Sequence, residues 1–407
     1  MVFDVMKARQ DFPILAREMA PGVPLVYLDS AASAQKPRVV MDAMVSMMTH
    51  SYANVHRGIH RLGDEATDIY EGARSRAARF IGAQAAEEIV FVRGATEGIN
   101  LVAQAWGRTH VGPGDEILVS EIEHHANLVP WRMLVQEKGA TVRMAPVRDD
   151  GSLDMMVLAG MMNARTKMLA ITAMSNVLGV INPVREIVAL AHARGIPVLV
   201  DACQAAVHGQ TDVQALGCDF LVFSAHKLYG PTGIGVLWGR KEILDSMPPW
   251  QGGGHMIDRV TPETITYAGV PARFEAGTMP IVESAGLVAA LDYLDGFGMD
   301  AIAAHDRMLH DAARERLARI PGLRLMGGAP GSSNIVSFTL DGAQAYDVAS
   351  IADKCGVALR AGHHCAQPLM RRLGVDATVR ASFGLYNTLE EVEQLGRAIE
   401  KAREMLS

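Results

Sequence analysis

The chain has 407 residues, 49% hydrophobic and 20% charged, which excludes a disordered tail protein and leaves material for a large core. At roughly 150 residues per domain, this length predicts two to three domains. Lys and Arg number 38 against 45 Asp and Glu, a formal charge of -7 with no run of like charges, so no nucleic-acid or anionic-membrane partner is expected.

Charges at positions 4, 7, 9 and 11 interrupt any signal-peptide core at the start of the chain. No apolar run approaches the roughly 18 residues of a membrane span, so the expectation is a soluble, cytoplasmic protein. Between residues 88 and 240 short β-rich runs alternate with helical patterns. They are EIVFV (88–92), DEILVS (115–120), TVRMAPV (141–147), TKMLAIT (166–172), PVLVDA (197–202), DFLVFS (219–224) and GIGVLW (233–238). Such alternation predicts an α/β fold with a mostly parallel, seven-stranded sheet covered on both faces. Only AHKLYGPT separates the last two strands, too little for a helical crossover, so they are antiparallel or not neighbours.

One intervening helix is read with Asn182 as its cap, Pro183 at its first position, an apolar stripe of Val184, Ile187, Val188 and Ala191, and Gly195 beyond its end. The stretch 248–280 contains PPW, GGG and further prolines at 262 and 271 and reads as a long ordered loop. Beyond it come helices at 284–296 and 300–320, strands near 323–326 and 334–340, a helix at 345–355, a short strand at 357–360 and a closing helix from 389. Thr388 and Glu391 form a capping box for that last helix. The organisation expected is a segment 1–25 packing with the small domain, a large domain 26–284, and a small α+β domain 285–407 that carries a cysteine loop.

Asp201 and Lys227 fall at or just past the carboxyl ends of predicted strands, the edge where open α/β sheets bind ligands. An acid and a lysine placed so suit pyridoxal phosphate, with the lysine as Schiff base and the acid holding the pyridinium nitrogen. As isolated residues they fit an ion pair at a sheet edge equally well. The four cysteines, 203, 218, 355 and 365, contain no CxxC pair, which excludes a disulfide framework or zinc ribbon and points to a reducing compartment. Cys218 and Cys355 fall on buried patterns. Cys365 stands in the aperiodic stretch 361–368 beside His363 and His364, an accessible loop thiol whose pKa positive neighbours can lower. Three zinc ligands are the alternative there, but adjacent ligands on one short loop are strained and no fourth is spaced nearby, so no metal is expected.

Taken together, DFPIL (11–15), YLDSAA (27–32), NVHRGIH (54–60), DACQ, SAHKLYGPTGIG, RFEAGT (273–278), RAGHHCAQP (360–368) and RASFGLYNT (380–388) resemble a SufS-type, group II cysteine desulfurase over essentially the whole chain. The resemblance implies a pyridoxal phosphate enzyme of fold type I, aspartate aminotransferase-like. It also implies a homodimer that takes sulfur from L-cysteine, leaves L-alanine and hands the sulfur to a SufE- or SufU-type acceptor for iron–sulfur assembly. A selenocysteine lyase or cysteine sulfinate desulfinase on the same scaffold stays open, and a non-catalytic scaffold disagrees with the presence of both lysine and cysteine.

Carried over position by position, Lys227 resembles the Schiff-base lysine, Asp201 the pyridinium partner, Gln204 the contact to the ring hydroxyl and His124 the ring-stacking histidine. Thr96, Ser224 and His226 resemble phosphate contacts, and Thr278 the residue reaching the neighbouring subunit's phosphate. Asn176, Arg380 and Arg360 resemble substrate-binding residues, and Cys365 the persulfide-forming nucleophile. Cys203 departs from the family, which more often has a small residue there. Alone, Thr96 would read as a helix cap, His124 as a loop residue and Arg380 as a solvated one.

Overall fold

The computed structural model describes residues 3–56 and 58–406; Arg57 of the NVHRGIH motif lies outside them. The seven expected strands form at β1 (Ile89–Val92), β2 (Glu116–Ser120), β3 (Thr141–Ala145), β4 (Thr166–Thr172), β5 (Val198–Asp201), β6 (Phe220–Ser224) and β7 (Gly235–Gly239). They make one sheet of order β1-β7-β6-β5-β4-β2-β3. All pairings are parallel except those of β7, antiparallel to both β1 and β6. The short AHKLYGPT link therefore does what its length allows: it reverses the chain.

Burial on both faces explains why these strands are continuously apolar rather than alternating. Along β1, Ile89 and Phe91 enter one core while Val90 and Val92 enter another, and along β6 Leu221 and Phe223 part from Phe220 and Val222 in the same way. Helices α1 (Arg38–His50), α2 (Arg61–Phe80), α3 (Ala95–Val102), α4 (Val129–Lys138) and α5 (Val184–His192) belong to this layered unit. On α5 the expected stripe is buried, and Gly195 follows at φ +68°. Asn182, however, does not cap it: its side-chain amide donates to the carbonyl of Thr172 at 2.7 Å, because Asn182 is buried in the turn leaving β4.

The stretch 248–280 is not only loop. Ile257–Val260 and Ile265–Tyr267 pair as an exposed antiparallel hairpin, followed by a single turn at Ala272–Phe274. Beyond it lie α6 (Ile281–Phe297), α7 (Met299–Ala318), α8 (Ala345–Lys354), α9 (Gln367–Leu373) and α10 (Leu389–Leu406). A second, antiparallel sheet of order β8-β9-β11-β10 is built from β8 (Leu323–Leu325), β9 (Ile335–Leu340), β10 (Arg360–Gly362) and β11 (Thr378–Ser382). Its apolar side, with α7, α8 and α10, makes a third core. The capping box closes as its residues require, with Thr388 N–H on Glu391 Oε2 at 3.1 Å and Glu391 N–H on Thr388 Oγ1 at 3.4 Å.

Three boundaries differ from the sequence expectation. A division at 284/285 would cut α6, which packs along α1 and α2. Val26–Tyr27, expected in the large domain, pairs with Val357–Ala358, and Asp29 bridges to Ser382. The strand foreseen at 357–360 is consequently two, Val357–Ala358 and β10, in different sheets. In the N-terminal segment, Arg9 bonds the carbonyl of Tyr386 and pairs with Glu391 at 2.7 Å.

Candidate active site

The carboxyl ends of the parallel strands converge on a cavity of about 230 Å³. β2 leads to His124, β4 to Asn176, β5 ends at Asp201, and β6 ends at Ser224, three residues before Lys227. All five residues line the cavity, together with Thr96, His226, Arg360, Arg380 and Cys365. Residues from 96 to 227 thus meet because parallel strands release their loops at one edge, and Arg360, Cys365 and Arg380 reach the same cavity from the second sheet and the loop after β10. Thr278 is not among them: it is exposed and borders a separate recess with Asn54, Val55 and His255.

The cofactor side of the cavity is held by the backbone. Ala95 N–H, at the start of α3, donates to Ser224 Oγ at 2.9 Å, tying the helix end to β6. Asp201 is buried and accepts Cys203 N–H at 3.0 Å. Gln204 donates to the carbonyl of Ala31 at 2.9 Å, while its side-chain oxygen is buried without a partner. His124 accepts Ala126 N–H on Nδ1 at 3.0 Å, and burial beside Lys227 pushes its pKa down to about 4, so the ring is neutral near pH 7. Burial, with Lys227 nearby, does the same to His226, also to about 4.

On the opposite side Arg380 is buried, donating to the carbonyl of Asn176 at 2.8 Å and to Asp29 at 2.9 Å, with its Nε unpartnered. Arg360, which is exposed, lies 3.7 Å from the other oxygen of Asp29. Asn176 donates its side-chain amide to the carbonyl of His364 at 2.8 Å, joining the substrate side to the cysteine loop. In that loop His364 and Cys365 adopt φ +50° and +55° in succession. Non-glycine residues held there cost about 1–3 kcal/mol each and cluster at functional sites.

The two histidines that flank Cys365 in sequence differ in exposure, His363 being exposed and His364 buried. His364 turns inward, its Nε2 against Thr378 Oγ1 at 2.9 Å, and burial with Arg380 nearby pushes its pKa down to about 3. Arg380 lies near enough to Cys365 for the two to interact electrostatically. Of the remaining cysteines, Cys218 is buried as expected and Cys355 only partly so. Cys203 lines the cavity with its Sγ 3.9 Å from Ser224 Oγ, and burial next to Asp201 raises its thiol to about 12, so it stays protonated.

Two residues of this site were not singled out in the sequence. Asp29, inside YLDSAA, is the carboxylate that Arg380 and Arg360 share. Glu123 is buried beneath the His124 turn, accepting Ser120 Oγ at 2.5 Å, Asn127 Nδ2 at 2.7 Å and Thr172 N–H at 3.0 Å; burial raises its pKa to about 7. Asp29 stood inside a quoted motif, and Glu123 directly precedes His124, but the arginines on Asp29 and the Thr172 N–H on Glu123 come from distant strands.

The family model for aminotransferase class-V matches residues 26–395. The chain belongs to this family. Relatives named cysteine desulfurase, from Serratia proteamaculans (strain 568) and Salmonella agona (strain SL483), are 50% and 51% identical over 407 residues, with 100% of each chain covered. Among solved structures, the Escherichia coli cysteine desulfurase CsdA in its S-sulfonic acid form superposes with a TM-score of 0.93 at 41% identity, covering 100% of both chains. The apo cysteine desulfurase of Thermococcus onnurineus NA1 gives 0.93 at 37%, covering 98% of each. For a class-V aminotransferase the implied cofactor is pyridoxal phosphate, and the residues present fit it. A lysine, a buried acid and the first residues of α3 line the cavity, and Gln204, which is not in the lining itself but follows Cys203 that is, keeps a buried side-chain oxygen without a partner.

Proposed function

We propose that the protein is a pyridoxal phosphate-dependent cysteine desulfurase that converts L-cysteine to L-alanine and carries the sulfur as a persulfide on Cys365. The observation that carries this reading is that Lys227 and Cys365, from distant parts of the chain, open into one cavity beside Arg380. The activity named for full-length relatives at 50% identity supports it. Lys227 would anchor the cofactor covalently, Asp201 would hold its ring nitrogen protonated, Gln204 its hydroxyl, and Thr96, Ser224 and His226 its phosphate. His124 would lie against the ring, uncharged. Once bound, the cofactor supplies an electron sink for the carbon that loses its proton.

The rest is done by the chain's own groups. Arg380 offers a planar fork to the substrate carboxylate, with Asn176 and Arg360 beside it. Lys227, released by the substrate, takes the α-proton as general base, a step typically contributing 10² to 10⁴-fold. Cys365 as thiolate attacks the substrate sulfur. The new S–S bond forms as the substrate's Cβ–S bond breaks, the electron pair stays with the β-carbon, which takes a proton, and return of a proton to the α-carbon completes alanine. The persulfide then passes to an acceptor of SufE or SufU type in iron–sulfur cluster assembly. A groove lined by Arg132, Met133, Gln367 and Arg371 opens beside the Cys365 loop and offers such a partner a basic, partly apolar face.

A homodimer is part of the same reading. Met41, Val45, Met48 and Tyr52 are exposed at helical spacing along and just past α1, an apolar stripe suited to a second copy, and Thr278 would complete that copy's phosphate site. Among the described residues no helix is long and apolar enough to cross a membrane. A cytoplasmic location agrees with four unpaired cysteines.

The test is alanine release from L-cysteine with a reductant, for wild type, Lys227→Ala and Cys365→Ala. Both variants should fall to background, and Lys227→Ala should also lose the visible absorbance of the bound cofactor. Wild-type turnover by Cys365→Ala would remove the nucleophile assignment.

A further inference from the structure

We propose that His125, His363 and Cys365 form a binding site for a divalent cation of the zinc class. One ligand atom from each lies within 4.8 Å of the others, and no other such cluster of His, Cys, Asp or Glu occurs among the described residues. The grouping depends on tertiary structure. His364, the ligand that sequence spacing would offer, turns away to Thr378, and His125 arrives from the turn after β2 to take its place.

Backbone contacts assemble the three side chains before any metal binds. His125 N–H donates to the carbonyl of Cys365 at 2.7 Å, Gln367 N–H to His125 Nε2 at 3.2 Å, and Cys365 N–H to His363 Nδ1 at 3.1 Å. The two rings stand 5.6 Å apart between centroids. One sulfur and two imidazole nitrogens favour zinc over magnesium or calcium, which take oxygen ligands. Three protein ligands with an open fourth position for water is the arrangement of exchangeable zinc, and His363 is exposed enough to leave that position open.

The chemistry balances without redox. As the sulfur–metal bond forms, Cys365 releases its thiol proton to solvent, and each ring gives a lone pair. A metal-bound neutral imidazole carries its proton on the other nitrogen, so each ring gives up the long backbone contact it now accepts, whichever nitrogen binds. Metal binding is a property of these side chains alone; its effect on sulfur transfer rests on Cys365 being the acceptor thiol. A metal held there draws electron density from the sulfur, lowers its nucleophilicity and shields it reversibly.

The experiment uses the cofactor-loaded protein, reduced with a phosphine and kept free of cysteine, which itself chelates zinc. Zinc titrated against a chromophoric indicator should bind at one ion per chain, and X-ray absorption should show one sulfur near ~2.3 Å and two nitrogens near ~2.0 Å. Cys365→Ser should lose the site. His125→Ala and His363→Ala should each weaken it by at least about tenfold, since even outer-shell partners of metal ligands carry that much. In wild type, zinc but not magnesium should slow alkylation of Cys365 by iodoacetamide, and a chelator should restore the rate. Unchanged zinc affinity in Cys365→Ser, a spectrum without a sulfur ligand, or an alkylation rate indifferent to saturating zinc would each overturn the proposal.

Discussion

At the scale of single residues, burial sets the charge states of the site more than proximity does. His364 stands next to Cys365 in sequence, yet it is enclosed against Thr378 with its pKa pushed down to about 3. The unfolded chain takes up that proton near pH 6.5 and the folded chain does not until about 3, so this group's penalty grows as pH falls through that window. The slope is at most about 1.4 kcal/mol per pH unit. His364→Asn keeps a residue that tolerates a positive φ and removes the titration. Its unfolding free energy should therefore fall less steeply than wild type between about pH 6 and 4, measured by denaturant titration at each pH. Parallel slopes would show that His364 is not the group responsible.

At the scale of elements, a buried ion pair pins the RFEAGT segment to the sheet. Arg74 on α2 grips Glu275 with two bonds of 2.7 and 2.9 Å, and Glu275 also accepts Tyr70 Oη at 3.0 Å and Phe91 N–H at 2.8 Å. Breaking one side of such a pair strands a charge, so Glu275→Gln should destabilise by about 3–5 kcal/mol in denaturant unfolding. Because Thr278 follows three residues later, cofactor retention on dialysis should fall too. A second element-level constraint is the turn that carries Asn176. Gly179 sits at φ +67°, where a Cβ would collide with the carbonyl oxygen of Ser333 on the approach to β9. Gly179→Ala should cost at least about 1 kcal/mol. By moving Asn176 it should also raise KM for cysteine more than it lowers kcat; an unchanged KM would separate the turn from substrate binding.

At the scale of the whole molecule, the apolar stripe on α1 is left exposed by the described residues. Val45 is 53% exposed and Met48 53%. Val45→Asp should shift the protein from dimer to monomer in sedimentation velocity and, if Thr278 serves the other subunit, weaken cofactor binding with it. A variant that stays dimeric would place the interface elsewhere.

The seven strands and their mostly parallel character were legible because they depend on local pattern, and link length narrowed AHKLYGPT to antiparallel neighbours or separated strands. The lysine, acid, arginine and cysteine were legible because their motifs are contiguous. What the sequence could not contain is who meets whom across the fold. Asp29 between two arginines, Asn182 spent on Thr172 rather than on a helix cap, and Val26–Tyr27 paired with Val357–Ala358 are all pairings between separate elements. Sequence alone determined which chemical groups the chain owns and the strand ends that carry them. Only the tertiary structure decided which histidine faces Cys365, because burial and backbone geometry in two distant loops, not adjacency, choose between His364 and His125.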